Sequence, residues 1–185
     1  KLKAFLGRYK KWFNTIIVVL DAEAEGRNNK SEITYVYRVL AGDFAAQRNV
    51  GNTAVQSGWV FHLDTDEYVN AAFCADLPKL AGAAQRDGLD VIGFPRRNYV
   101  DHRLSDLFPD IQYRLMRCDI RFEGSVHERP KPCGEGTTTI VSQHGAIDHY
   151  LTRERVSKRS ADYDLLGQSN VRHADDKALL KFYKN

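Results

Sequence analysis

The sequence predicts an α/β domain in which a mostly parallel β-sheet flanked by helices is followed by a half of shorter strands and by C-terminal helices. Three observations lead there. Apolar, β-branched runs alternate with helical periodicity over roughly the first hundred residues. From Gln112 onward the pattern changes to short strand candidates broken by Gly and Pro. Within the first of these regions, the stretch GWVFHLDTDEYV, Gly58 to Val69, passes from a buried-type strand directly into Asp64, Asp66 and Glu67.

The elements follow in order. Leu2, Phe5, Leu6, Tyr9, Trp12 and Phe13 recur at helical spacing, and TIIVVLD (residues 15–21) is a parallel-type strand. A Gly- and Asn-rich loop over 22–31 precedes a second strand, EITYVYRVL. Asp43 is placed to N-cap a helix running to about Gln56, after which comes the acidic-ended strand. A helix over 77–86 and a strand in LDVIGFPRR complete the alternation. QYRLMR, IRFEG, TTTIV and GAIDHY are the later strands. From Thr152 the chain reads as helical, with Val156, Tyr163, Leu165, Leu166, Leu179, Leu180 and Phe182 as its apolar contacts.

Composition bounds the function. A chain of 185 residues with 43% hydrophobic content supports one cored domain, spanning 1–185. The net charge of +3 is mild, and no interleaved basic and aromatic platform is present, so nucleic acid is not expected as a partner. Arg153, Arg155, Lys158 and Arg159 form a local basic cluster, either a solvated helix face or a peripheral contact with an acidic membrane surface. Cys74, Cys118 and Cys133 have neither disulfide-framework nor zinc spacing, which fits a reducing, cytoplasmic setting. No apolar run reaches the length of a membrane span, and the opening KLK leads into an amphipathic stretch instead of a signal-peptide core.

The acids carry the chemistry. In open parallel sheets, ligands bind beyond the carboxyl ends of the strands, where both TIIVVLD and WVFHLDTD end in aspartate. Asp64 and Asp66 would share one side of an extended segment, and a divalent cation between them would offset both repulsion and dehydration.

The run GDFAAQRNVGNTAVQSGWVFHLDTDEYV resembles the core of family 2 glycosyltransferases of the GT-A fold. VIGFPRRNYV, PDIQYRLMR, FEGSVHE and IDHY continue the likeness more weakly, over most of residues 12–160. The resemblance implies a GT-A-type, Rossmann-like fold with a donor half (about 1–100), an acceptor half (about 101–150) and C-terminal helices (about 151–185). It implies metal-dependent, inverting transfer of a sugar from a nucleotide-sugar to a hydroxyl of a glycan or glycoconjugate. By the same likeness, Asp66 coordinates Mn²⁺ or Mg²⁺, Asp64 lies near the ribose or reaches the metal through water, and Asp21 faces the nucleotide. Arg48 holds the D-x-D loop or the donor, and Arg114 neutralises diphosphate charge. His149 is a further metal or phosphate ligand, His127 a phosphate or acceptor contact, and Glu128 the catalytic base, with Glu123 second. A UDP-sugar is the first choice of donor, although the loop after Asp21 departs from the family's usual turn.

The chemistry asks for these groups: positive charge for the departing diphosphate and a carboxylate for the acceptor's proton. Two other classes compete. A non-catalytic nucleotide- or glycan-binding module would keep the fold without turnover. A metal-dependent phosphohydrolase fits less well, because Tyr68 stands where a small hydroxyl residue is expected after the second Asp, and no apolar strand precedes Asp175 and Asp176.

Overall fold

Helical periodicity at the start produces α1 (Leu2–Tyr9), whose buried Tyr9 anchors it to a distant segment. The Tyr9 hydroxyl donates to the Val69 carbonyl at 3.3 Å and accepts from the Val69 N–H at 3.0 Å. The computed structural model describes residues 1–23, 26–30, 32–124, 128–131, 138–158 and 179–180. β1 (Ile16–Asp21) and β3 (Ile33–Arg38) pair in parallel, and β2 (Gly26–Lys30) adds antiparallel to β3, giving the order β1-β3-β2. α2 (Phe44–Thr53) begins at the expected cap, the Asp43 side chain accepting from the Ala46 N–H at 2.9 Å. It lies across β1, with the Cβ position of Gly51 only 3.2 Å from Val19.

A second, larger sheet holds most of the remaining strands. β4 (Trp59–Phe61), β5 (Glu67–Tyr68), α3 (Ala71–Arg86), β6 (Val91–Val100), β7 (Arg103–Leu104) and β8 (Asp110–Arg117) follow in sequence. β9 (Arg121–Glu123) and β10 (Arg129–Lys131) form a separate ribbon, then β11 (Thr139–Val141) and β12 (Ile147–Leu151) return to the sheet. Its order is β4-β8-β6-β12-β5, with β11 and β7 also on β6. The central ten-residue β6 carries Val91, Ile92, Phe94 and Val100 into the core.

The expected GT-A-type, Rossmann-like sheet, mostly parallel and flanked by helices, is not what forms. The fold is mixed α/β with mostly antiparallel strands, a curled sheet and few helices. Among the described residues, β1·β3, β6·β11 and β6·β12 are parallel, whereas β2·β3, β4·β8, β5·β12, β6·β7, β6·β8 and β9·β10 are antiparallel. Residue periodicity registers that a strand exists but not which way it runs, and local turns made the difference. Asp101 and His102, both at positive φ, reverse β6 into β7 and on toward β8. The polar GRNNK, expected as loop, becomes the edge strand β2 because β3 supplies its ladder partner. The acidic-ended strand also stops sooner than expected, at Phe61. Helix α3 starts six residues before the expected helix, where the Asn70 side chain caps it by accepting from the Phe73 N–H at 2.8 Å. Of the C-terminal helical region, 153–158 is helical and buries Val156 against Val100, Leu151 and Leu179; residues 159–178 and 181–185 lie outside the described residues.

One turn is exacting. Gly145 (φ +78°) precedes β12, and a Cβ there would lie 2.4 Å from the Phe73 ring in the core. Gly145→Ala is therefore expected to lose about 2–4 kcal/mol in urea unfolding, from strain and overpacking together.

Candidate functional site

The acidic stretch does not continue as a strand. It folds into a turn in which the Glu67 N–H donates to the Asp64 carbonyl at 2.9 Å and the Asp64 N–H donates to Glu67 Oε2 at 3.1 Å. The expectation that Asp64 and Asp66 share one side of an extended segment is thereby corrected, because the turn sends them to different partners. β5 pairs with β12, and the Tyr150 N–H donates to the Asp66 carbonyl at 3.1 Å, which pins the turn against β12.

Asp64 meets two guanidinium groups. Arg48 Nη1 and Nη2 donate to its two oxygens at 3.1 and 2.9 Å, and Arg114 Nη2 donates to Oδ2 at 2.9 Å. Arg48 uses Nε as well, on Glu128 Oε1 at 2.6 Å, so one arginine bridges Asp64 and Glu128 across 64 residues of chain. Arg114 also donates to the fully buried Glu67 at 2.6 Å, and Arg96 joins Glu67 (2.9 Å) to Asp110 (2.7 Å). Burial by itself would raise the Asp64 carboxyl, but Arg48 and Arg114 outweigh it and hold the group well below the usual carboxylate range. Burial likewise raises and Arg96 lowers the Asp110 carboxyl, with lowering the net result.

Asp66 lies at the other end of this network. Its Oδ2 is 3.5 Å from His149 Nε2 and accepts from Arg155 Nη1 at 2.7 Å. His149 is oriented from behind: Nδ1 is 2.7 Å from Asn98 Oδ1, while the Asn98 amide donates to Asp110 at 3.0 Å and to the Leu107 carbonyl at 3.4 Å. That assignment makes Nδ1 the protonated nitrogen and leaves Nε2 its lone pair toward Asp66 when the ring is neutral. Burial raises the Asp66 carboxyl, but His149 and Arg155 outweigh it and lower the group.

A cavity of about 1300 Å³ collects these groups, being lined by Arg48, Asp64, Asp66, Arg96, Asp110, Arg114, Glu128, His149 and Arg155. Its other wall is apolar, formed by successive residues of β1 (Ile16 to Val19) and β4 (Trp59 to Phe61) together with α1. Six sequence candidates, Arg48, Asp64, Asp66, Arg114, Glu128 and His149, thus face one space. Asp21 does not; its carboxylate accepts from the Leu40 N–H at 2.9 Å and serves the turn after β3. Glu123 is exposed and pairs with Lys131 on the β9–β10 ribbon. His127 lies outside the described residues. Arg96, Asn98, Asp110 and His62 were not singled out from the sequence; the first two stand in a strand whose apolar flanks drew attention to packing. Arg155 was read as one of a surface cluster, yet its side chain turns inward.

Among the described residues no group of three or more His, Cys, Asp and Glu is disposed around a metal position. The Asp66–His149 pair nevertheless suits a divalent cation, since a carboxylate and an imidazole lone pair 3.5 Å apart are a fitting two-donor edge for Mn²⁺. Phosphate oxygens and water commonly complete such sites. No helix among the described residues is long and apolar enough to cross a membrane. No protein-family model and no curated protein matches the chain.

His62 ends the apolar run beside the arginines, and its Nε2 is buried with no partner among the described residues. Burial, then Arg48 and Arg114, pushes its pKa down to about 3 from the usual 6.5. The folded protein therefore refuses a proton that the unfolded chain takes up below pH 6.5. Stability is expected to fall with acidity between pH 6.5 and 3 by about 1.4 kcal/mol per pH unit from this group. In pH-dependent denaturant unfolding, His62→Phe should flatten that slope between pH 6.5 and 4.5, before the carboxylates contribute.

Proposed function

We propose that the protein is a metal-dependent glycosyltransferase that moves a sugar from a nucleotide-sugar donor to a glycan or glycoconjugate hydroxyl, with inversion. The observation that carries this reading is the gathering of Asp66, His149, Arg114, Arg48 and Glu128 around one cavity of about 1300 Å³. That volume is ample for a nucleoside diphosphate and a sugar. The likeness of the acidic stretch and its flanks to family 2 glycosyltransferases supports the same conclusion. We also place the protein in the cytoplasm, consistent with the free thiols of Cys74 and Cys118.

Asp66 and His149 Nε2 would hold Mn²⁺ or Mg²⁺, which when bound supplies positive charge to a leaving diphosphate. Asp64, clamped by Arg48 and Arg114, holds the turn that presents Asp66 and offers its remaining acceptor capacity to the ribose. The apolar wall of β1 and β4 suits the faces of a base. Glu128 Oε1 is occupied by Arg48, which leaves Oε2 to accept the proton of the attacking hydroxyl. A UDP-sugar is the first donor to test.

The Arg48–Glu128 contact at 2.6 Å also favours a second reading, a nucleotide- or glycan-binding module without turnover, because a carboxylate already engaged by a guanidinium serves to fix geometry. Two variants separate the possibilities. Asp66→Asn is expected to abolish Mn²⁺-dependent binding of UDP in calorimetry while the protein stays folded. Glu128→Gln is expected to keep that binding while single-turnover transfer from preloaded donor falls by roughly two to four powers of ten. Absence of metal-dependent nucleoside diphosphate binding by the wild type overturns the transferase reading. Binding without release of nucleoside diphosphate from any nucleotide-sugar leaves the non-catalytic module.

A further inference from the structure

Arg155 occupies an unusual position for a residue of a basic surface cluster. Its backbone is fixed by the start of the helical turn at 153–158, where its N–H donates to Thr152 Oγ1 at 3.2 Å. The next residue, Val156, is 1% exposed in a core cluster with Val100, Leu151 and Leu179. The side chain itself is half exposed (51%), yet its guanidinium reaches Asp66 Oδ2 at 2.7 Å, on the same oxygen that faces His149 Nε2. The cation beside Asp66 is therefore carried by a flexible arm on a firm base.

Charge bookkeeping points to what that arm does. The connected network contains five carboxylates, Asp64, Asp66, Glu67, Asp110 and Glu128, and four guanidinium groups, Arg48, Arg96, Arg114 and Arg155. Carboxylates outnumber guanidinium groups by one, and by two once Arg155 has swung away, an excess that favours a cation in its place. Arg48, Arg96 and Arg114 each hold two carboxylates and are largely buried, whereas Arg155 holds one and is the most exposed of the four. Its own charge stays near water when it leaves, but its departure uncovers the largely buried Asp66, whose remaining neighbour is His149, so another cation has to take its place.

We infer that Arg155 is an exchangeable counter-ion: it holds the cation position at Asp66 until a divalent metal arrives, then turns to the diphosphate that the metal brings. This rests on the metal-dependent reading above and adds a residue and an order of events to it. The exchange keeps Asp66 paired at every stage and makes a guanidinium available for bidentate contact with phosphate when the donor enters. Arg155 is on this account a positioning residue for the donor complex and an obstacle to metal alone.

The two roles have opposite signs, which a merely structural residue would not produce. Arg155→Gln is expected to tighten Mn²⁺ binding in the absence of nucleotide by about tenfold, measured by electron paramagnetic resonance titration, because one charge-assisted hydrogen bond no longer competes. The same variant at saturating Mn²⁺ is expected to bind UDP about tenfold more weakly in calorimetry. Arg155→Lys, which retains the charge, should return both affinities toward the wild type. Unchanged or weaker Mn²⁺ binding by Arg155→Gln, with wild type binding Mn²⁺ normally, overturns the exchange and leaves the metal site standing. If neither protein binds Mn²⁺, the exchange falls together with the metal-dependent reading beneath it.

Discussion

The Arg114 guanidinium, buried between Asp64 and Glu67, is the contact on which the rest of the site depends. Two carboxylates three residues apart in a tight turn repel each other, and Glu67 is removed from water altogether. Desolvating such charges costs several kcal/mol each unless they are paired and hydrogen-bonded. Arg114 supplies that pairing from β8, Arg48 from α2 and Arg96 from β6, so three elements far apart in the chain are required in place before the turn can close. This network is weak evidence for high stability, since apolar replacements would also pack. It specifies geometry instead, because removing a single partner leaves a buried charge unanswered.

The same network explains how a cavity coexists with a densely charged wall. Arg48, Arg96 and Arg114, which face the space, are each already held by two carboxylates, so their orientation is set before a ligand enters. Asn98 extends the ordering to His149 through Asp110, so the imidazole that faces Asp66 is aligned by the same set of ion pairs that hold Asp64. Opposite them, β1 and β4 are edge strands of two different sheets, each paired on one side among the described residues. Their successive residues line the apolar wall. The strands expected to form one mostly parallel sheet are in this way divided among separate sheets, and the edge strands β1 and β4 both line the cavity.

Much of the local structure was legible. Asp43 caps α2 because a short acceptor before a helical pattern satisfies an otherwise unpaired N–H, and that information is contained in a few neighbouring residues. Asp64, Asp66, Arg48, Arg114, Glu128 and His149 were each suspected, and they do face one space. A strand-terminal aspartate fits a turn as well as a ligand, and Asp21 here binds the Leu40 N–H. Arg155 was hidden by its company: within RERVSKR its charge looks like surface, and only the packing of Val156 shows which way the turn faces.

By itself the sequence determined where α2 begins and which stretches form most of the strands, and it held the candidate side chains that meet at the cavity, since capping, periodicity and the shift from apolar to acidic residues are short-range properties of the chain. Tertiary structure alone decided the direction of the strands, their division among separate sheets and the partners of each acid. Those depend on turns such as Asp101–His102 and on contacts spanning dozens of residues, as between Arg48 and Glu128. A buried carboxylate announces in sequence that a positive charge is needed. Whether an arginine or a metal provides it is set by the distances that folding creates: two arginines reach Asp64, and His149 and Arg155 reach Asp66.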